Sequence, residues 1–225
     1  MARLIVISFF TMPSPTFIRT LLWVFPVLLF ALTACGQREH LDALPPDAVV
    51  LAFGDSVTAG LGADAGYDYP SQLASATGLN IVNAGVSGDT AREAGDRLAP
   101  LLASHQPQLV IIELGGNDFL RQTQASRVKE FLRGIIREAQ ASGATVALVA
   151  VPRLSLLRAS VGALTDSPIY AELAQEEGVV LVPDIFSEIL SDSALRADEI
   201  HPNARGYGQL AHGIQAVLTE RGLLN

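Results

Sequence analysis

Read for its alternation of apolar and polar stretches, the chain divides into short buried runs and longer segments of helical period. The runs Ala48–Phe53, Ile81–Asn83, Leu109–Leu114, Thr145–Val151 and Val179–Val182 are rich in β-branched residues and bounded by turn residues. That pattern predicts five buried, parallel strands. Between them the apolar positions recur at helical spacing. Thr90 and Glu93 form a capping-box pattern that opens a helix with Ala94, Leu98, Leu101 and Leu102 on one face. After Ser126 a second stripe runs through Val128, Phe131, Leu132, Ile135 and Ile136. A last helix buries Tyr207, Leu210, Ile214, Val217 and Leu218 and stops at Gly222. Strand and helix in alternation predict a three-layer α/β/α sandwich around a mostly parallel five-stranded sheet. In such sheets a ligand crevice opens beyond the carboxyl ends of the strands.

The first 34 residues stand outside this pattern. Arg19 precedes fourteen mostly apolar residues, Leu21 to Ala34, a stretch too short to span a bilayer well and suited to the hydrophobic region of a secretory signal. It ends in "LTAC", Leu32 to Cys35. These four residues resemble the lipobox of bacterial lipoproteins, which implies a lipid-bearing Cys35 as the first mature residue. An ordinary signal with a chance cysteine is the other reading. Residues 35–47 read as a polar, proline-bearing tether, and 48–225 as the folded domain. With Gly36 after the cysteine, the resemblance implies a bacterial cell-envelope location, anchored in the outer membrane and facing the periplasm. Met12 is an alternative start to Met1.

The 225 residues are 49% hydrophobic, enough for one domain with a real core. A formal net charge of −8 and a single lysine, Lys129, argue against a nucleic-acid partner, which needs clustered positive charge. One cysteine excludes an internal disulfide and a cysteine-based zinc site.

The polar motifs fall at strand ends or in the loop that reaches them. "GDSVTAG" (Gly54–Gly60) follows the first strand, "NAGVSGDT" (Asn83–Thr90) the second, and "ELGGNDF" (Glu113–Phe119) the third, while "DEIHPN" (Asp198–Asn203) precedes the last helix. One crevice can therefore collect a serine, a glycine-rich turn, an asparagine and an aspartate–histidine pair. Acyl transfer needs those parts: a nucleophile, a base held in one tautomer, and fixed donors for an oxyanion. In that reading Ser56 attacks, His201 takes its proton and Asp198 holds His201. The backbone N–H groups of Ser56 and Gly88 and the amide of Asn117 receive the oxyanion.

These blocks, in this order, resemble those of the SGNH hydrolases, or GDSL-type esterases, from Val49 to the C-terminus. The resemblance is closest to the bacterial acyl-CoA thioesterase I, lysophospholipase and arylesterase group. It implies a flavodoxin-like fold and a covalent acyl-enzyme, with acyl esters, lysophospholipids or acyl thioesters as substrates. It implies Ser56, Asp198 and His201 as catalytic residues, Ser56, Gly88 and Asn117 as the oxyanion hole, and neither metal nor organic cofactor. Two departures stand out. Val57 replaces the family's common leucine, and Arg153–Tyr170, where the family often shapes its substrate cleft, matches poorly.

Each residue also has a plainer reading. Ser56 can cap a helix, Asn117 or Asp118 can start one, and Gly88 can serve backbone conformation alone. Asp55 is expected to brace the turn through backbone hydrogen bonds. Asp184 and Asp192 are alternative acids, and His40, His105 and His212 the competing histidines. The apolar residues of Arg153–Tyr170 read equally as core or as the wall of an acyl groove. Two rival functions remain: a carbohydrate O-acetylesterase using the same residues, and a non-catalytic lipid-binding envelope lipoprotein.

Overall fold

The computed structural model describes residues 41–153 and 164–224. Cys35 and most of Arg153–Tyr170 lie outside them. Five strands, β1 (Val49–Gly54), β2 (Asn80–Gly85), β3 (Leu109–Glu113), β4 (Thr145–Val149) and β5 (Val180–Val182), form one sheet in the order β2-β1-β3-β4-β5. Every pairing is parallel. The expected sandwich is present, and its sheet is parallel throughout.

Strand β3 is buried at all five positions, and β1 at all but Val49. That accounts for their unbroken apolar sequences, because a central parallel strand is covered on both faces. The edge strand β2 departs from the expectation. It runs from Asn80 to Gly85, longer than the apolar core Ile81–Asn83, and none of its residues is fully buried. An edge strand with one neighbour needs only backbone pairing there, so Asn80 and Asn83 are tolerated within it.

The helices are α1 (Ser56–Ala59), α2 (Tyr69–Thr77), α3 (Ala91–Gly95), α4 (Leu98–His105), α5 (Gly116–Leu120), α6 (Ala125–Ala141), α7 (Ile169–Glu177), α8 (Ile185–Ser191) and α9 (Ala204–Glu220). On one face of the sheet α9 packs against α2 and α8; on the other α6 packs against α3, α4 and α7. Helix α6 buries Val128, Leu132, Ile135 and Ile136 and leaves its opposite face to solvent, as its stripe requires. Asn203 caps α9 by accepting the N–H groups of Arg205 and Gly206. Leu41 and Leu44, in the segment read as tether, donate backbone hydrogen bonds to Arg221 and Leu223 and pack against the core.

The single helix expected after Thr90 is two. The capping box forms as expected, with Thr90 and Glu93 bonded reciprocally, but α3 ends at Gly95 and α4 begins at Leu98. The break frees Arg97 from helical geometry. Its guanidinium lies 4.5 Å from the centre of the Phe53 ring, donates to the carbonyls of Gly54 and Ala84 at 2.9 Å each, and pairs with Asp89 at 2.7 Å. Arg97 thereby ties the ends of β1 and β2 to the loop that follows β2.

Candidate active site

With the order 2-1-3-4-5, the chain leaves β1 in one direction and β3 in the other, so a crevice opens between their carboxyl ends. Ser56 follows β1 there and Asn117 follows β3. At the end of β1, Gly54 leaves no room for a side chain: an added Cβ would collide with the Thr58 hydroxyl and the Glu113 carbonyl. The chain turns sharply and Asp55 caps α1, its carboxylate accepting the Val57 N–H at 3.0 Å. This is the bracing role expected of it. Ser56 opens the helix, 8% exposed.

His201 arrives on a tight loop between α8 and α9. That loop is closed by a bridge between Arg196 and Pro202 and by hydrogen bonds from Ala197 to His201 and from Asn203 to Leu195. Its Nε2 lies 3.0 Å from the Ser56 hydroxyl, although 145 residues separate the two. Its Nδ1 lies 2.8 Å from one Asp198 oxygen and 3.0 Å from the other. The Asp198 carboxylate also accepts the backbone N–H groups of Ile200 and His201. Burial works to raise the Asp198 pKa, but the hydrogen bonds from His201 and the two amides outweigh it, so the carboxyl titrates below its ordinary value. With Nδ1–H donated to Asp198, Nε2 is left to accept the serine proton.

The competing groups stand elsewhere, apart from His40, which lies outside the described residues. The backbone of Asp184 bonds to Asp166, the Asp192 carboxylate accepts the Ala194 N–H, and His212 is exposed on α9. His105 ends α4.

Asn117 sits in the first turn of α5, after Gly115 as the cap. Its amide donates to Asp55 at 3.1 Å and to the carbonyl of Asp89 at 3.0 Å. Gly88, one residue before Asp89, has φ of +89°, a conformation that favours glycine although open space surrounds the position. Its carbonyl accepts from Arg121, which also pairs with Glu93. The structure thus joins Ser56, His201 and Asp198 directly, and links Asn117 to them through Asp55. Gly88 stands in the adjoining loop, not among the residues that line the pocket.

That pocket is lined by polar residues, Asp55, Ser56, Glu113, Asn117 and His201, and by apolar ones, Val57, Leu120, Phe186 and Ile200. Among the described residues no three His, Cys, Asp or Glu side chains gather to hold a metal ion. A hydroxyl, an imidazole and a carboxylate in sequence, with an amide beside them, can deprotonate the hydroxyl and receive a developing negative charge.

Three contributors were not singled out from the sequence, and a fourth, Asp118, was read there only as a residue that can start a helix. Glu113 ends β3 wholly buried, Arg97 clamps the loop after β2, and Tyr69 bonds the Thr58 hydroxyl at 3.2 Å. Asp118, also buried, accepts the N–H of Ala91 at 2.8 Å and so fixes the start of α3 to α5. Burial raises its pKa against that hydrogen bond. Of the first three, only Glu113 carries a sequence signal, a charged residue at the end of a run otherwise wholly apolar.

Residues 52–209 match the GDSL-like Lipase/Acylhydrolase family model. "Thioesterase 1/protease 1/lysophospholipase L1" of Escherichia coli K12 is 36% identical over 160 residues, 68% of this chain and 75% of that one. "Esterase TesA" of Pseudomonas aeruginosa is 32% identical over 206 residues, 83% and 96% of the two chains. A crystal structure of TesA aligns with a TM-score of 0.68 at 29% identity, covering 77% of this chain and 99% of that one. The chain belongs to the GDSL-like lipase/acylhydrolase family and is an ester-cleaving hydrolase.

Proposed function

We propose that the chain is a serine esterase that hydrolyses acyl esters with apolar acyl groups, lysophospholipids among them, through a covalent acyl-enzyme on Ser56. The observation that carries this reading is the 3.0 Å approach of His201 Nε2 to the Ser56 hydroxyl, with Asp198 on the far nitrogen. His201 takes the serine proton as Oγ attacks the carbonyl carbon. Asp198 holds the imidazole and stabilises its cation. The tetrahedral oxyanion is received by the N–H groups of Ser56 and Gly88 and the amide of Asn117. His201 then returns the proton to the leaving alcohol as the C–O bond breaks. Water, deprotonated by the same imidazole, releases the acid and restores Ser56.

The apolar lining formed by Val57, Leu120, Phe186 and Ile200 supports an apolar acyl group over a sugar acetate. The names of the relatives, a lysophospholipase, a thioesterase and an esterase, support the same substrate class and extend it to acyl thioesters. The proposal also places the domain in the bacterial envelope, anchored through Cys35 in the outer membrane. The "LTAC" sequence supports this, and incorporation of labelled fatty acid, lost in Cys35→Ser, tests it.

The functional test is turnover of p-nitrophenyl esters from acetyl to long acyl, beside Ser56→Ala and fluorophosphonate labelling. Activity that rises with chain length and vanishes in the variant is expected. Activity on acetyl alone would replace the reading with a deacetylase. A folded protein that neither turns over esters nor labels at Ser56 would leave the serine a helix cap.

A further inference from the structure

Beneath the turn that carries Ser56 lies a pair of buried carboxyl groups that the acyl-transfer chemistry does not use. The register pairs Glu113 with Gly54, so the last residue of β3 stands beside the chain as it enters Asp55. Both side chains line the same pocket, close enough for the charge of Asp55 to act on Glu113. Asp55 is 3% exposed and Glu113 1%.

The groups packed around the pair offer little positive charge. From α1 comes the Thr58 hydroxyl, which donates to Glu113 at 3.3 Å, and from α2 the Tyr69 hydroxyl behind it. The Tyr170 hydroxyl of α7 donates to the Leu114 carbonyl, and that of Tyr207 in α9 to the Leu61 carbonyl. Asp68, Asp89, Asp118 and Asp198 supply further carboxyls on this side. The guanidinium of Arg97 is committed to Asp89 and to two carbonyls. His201 faces Asp55 and is bonded to Ser56 and Asp198. Two ionised carboxylates this close at such a place are not sustained, and the pair keeps a proton.

Its position follows from the donors. Asp55 receives the Val57 N–H and the Asn117 amide, both of which favour an ionised acceptor. Glu113 receives only the Thr58 hydroxyl among the contacts described, so it is the carboxyl of the two with less to hold a negative charge. Burial, and after it the charge of Asp55, push the Glu113 carboxyl well above the usual carboxylate range. Burial also pushes Asp55 up to about 6, opposed by the Val57 N–H, the charge of His201 and the Asn117 amide.

We propose that Glu113, held as the protonated acid, is a positioning residue that donates its hydrogen to Asp55 and so fixes the carboxylate that orients both Ser56 and Asn117. One proton then braces the cap of the nucleophile's helix and the oxyanion donor together. Both hydrogens of the Asn117 amide are taken in the resting structure, one of them by Asp55. As the oxyanion forms, it draws that N–H away from Asp55, and the O–H of Glu113 remains as a donor to the Asp55 carboxylate. The inference rests on the acyl-transfer reading of the site.

The test compares wild type, Glu113→Gln and Glu113→Leu in the full chain. Readouts are ester turnover, fluorophosphonate labelling of Ser56, and the infrared carbonyl band of a protonated carboxyl. Wild type should show that band at neutral pH, and Glu113→Gln should lack it. The glutamine N–H still donates to Asp55, so this variant should keep kcat of the wild-type order. The leucine variant leaves Asp55 without that donor and should lose kcat on the order of tenfold or more with KM little changed. An unchanged infrared band in Glu113→Gln, or wild-type kcat in Glu113→Leu, would overturn this inference alone. Folded wild type with neither turnover nor labelling would overturn the functional reading and this inference with it.

Discussion

The amide nitrogen of Asn117 lies 3.1 Å from a carboxylate oxygen of Asp55, across 62 residues of sequence and at the ends of two adjacent strands. That hydrogen bond, with the one to the Asp89 carbonyl, holds the amide in place beside the Ser56 turn before any substrate arrives. A donor already held at the site has only to exchange one partner as an oxyanion forms, and that small reorganisation is what gives such a donor its effect. Asn117→Ala is therefore expected to lower kcat by on the order of 10²–10³, with KM close to wild type. Asn117→Asp should do no better, since it sets a second carboxylate against Asp55. Steady-state kinetics on one medium-chain ester decide the matter, and a variant that raises KM while sparing kcat would move Asn117 from the transition state to ground-state binding.

Asp198 is a different kind of acid. It is half exposed, yet three donors converge on it, two backbone amides and the imidazole of His201. Asparagine in its place offers an N–H as well as a carbonyl, so it holds the ring without enforcing the tautomer that leaves Nε2 free to accept. Asp198→Asn should reduce kcat/KM on the order of 10³–10⁴ while the loop keeps its shape. A variant with near wild-type activity would remove Asp198 from the proposed mechanism.

What the sequence discloses and what it conceals divide along physical lines. Val50 to Phe53 and Val110 to Glu113 are covered on both sides, so burial writes the strand directly into composition. The edge strand β2 is held by backbone pairing, which leaves little trace in its side chains, so its apolar run is shorter than the strand itself. Ser56 and His201 were legible because each stands at a break between elements with a chemically apt neighbour. Glu113 and Arg97 act through contacts with residues distant in the chain. No local pattern separates Arg97 from the surface arginines of a helix, and the break at Asp96–Arg97 does not interrupt the run of apolar positions that suggested one continuous helix.

Arg97 carries a testable consequence of that break. Its planar fork satisfies two carbonyls at the ends of β1 and β2 while pairing with Asp89, whose own carbonyl holds Asn117. Lysine keeps the charge but cannot span all three acceptors. Arg97→Lys should cost about 1.5–3 kcal/mol of stability, the range for hydrogen bonds to a charged group. Because the same clamp holds the Val86–Asp89 loop, kcat should fall as well. Denaturant unfolding alongside kinetics tests both, and a stability loss without any change in kcat would confine Arg97 to the fold.

The buried carboxyl pair predicts how stability varies with pH. The ordinary glutamate value is 4.5, and folding raises that of Glu113 well above it. Between those two values the folded protein holds a proton that the unfolded chain has released. The contribution of this group is then fully present below about pH 4.5 and is lost as pH rises toward the folded value. Asp55 acts with the same sign between 3.8 and about 6. Glutamine at position 113 has no proton to lose, and its N–H relieves Asp55 as well. The Tm of Glu113→Gln relative to wild type should therefore climb steadily as pH is raised above 4.5, and the difference should be least favourable to the variant in acid. Thermal unfolding of both proteins across that interval reads the slope directly. A difference that is flat, or that falls with pH, would mean that Glu113 is ionised in the folded state and that Asp55 holds its place without it.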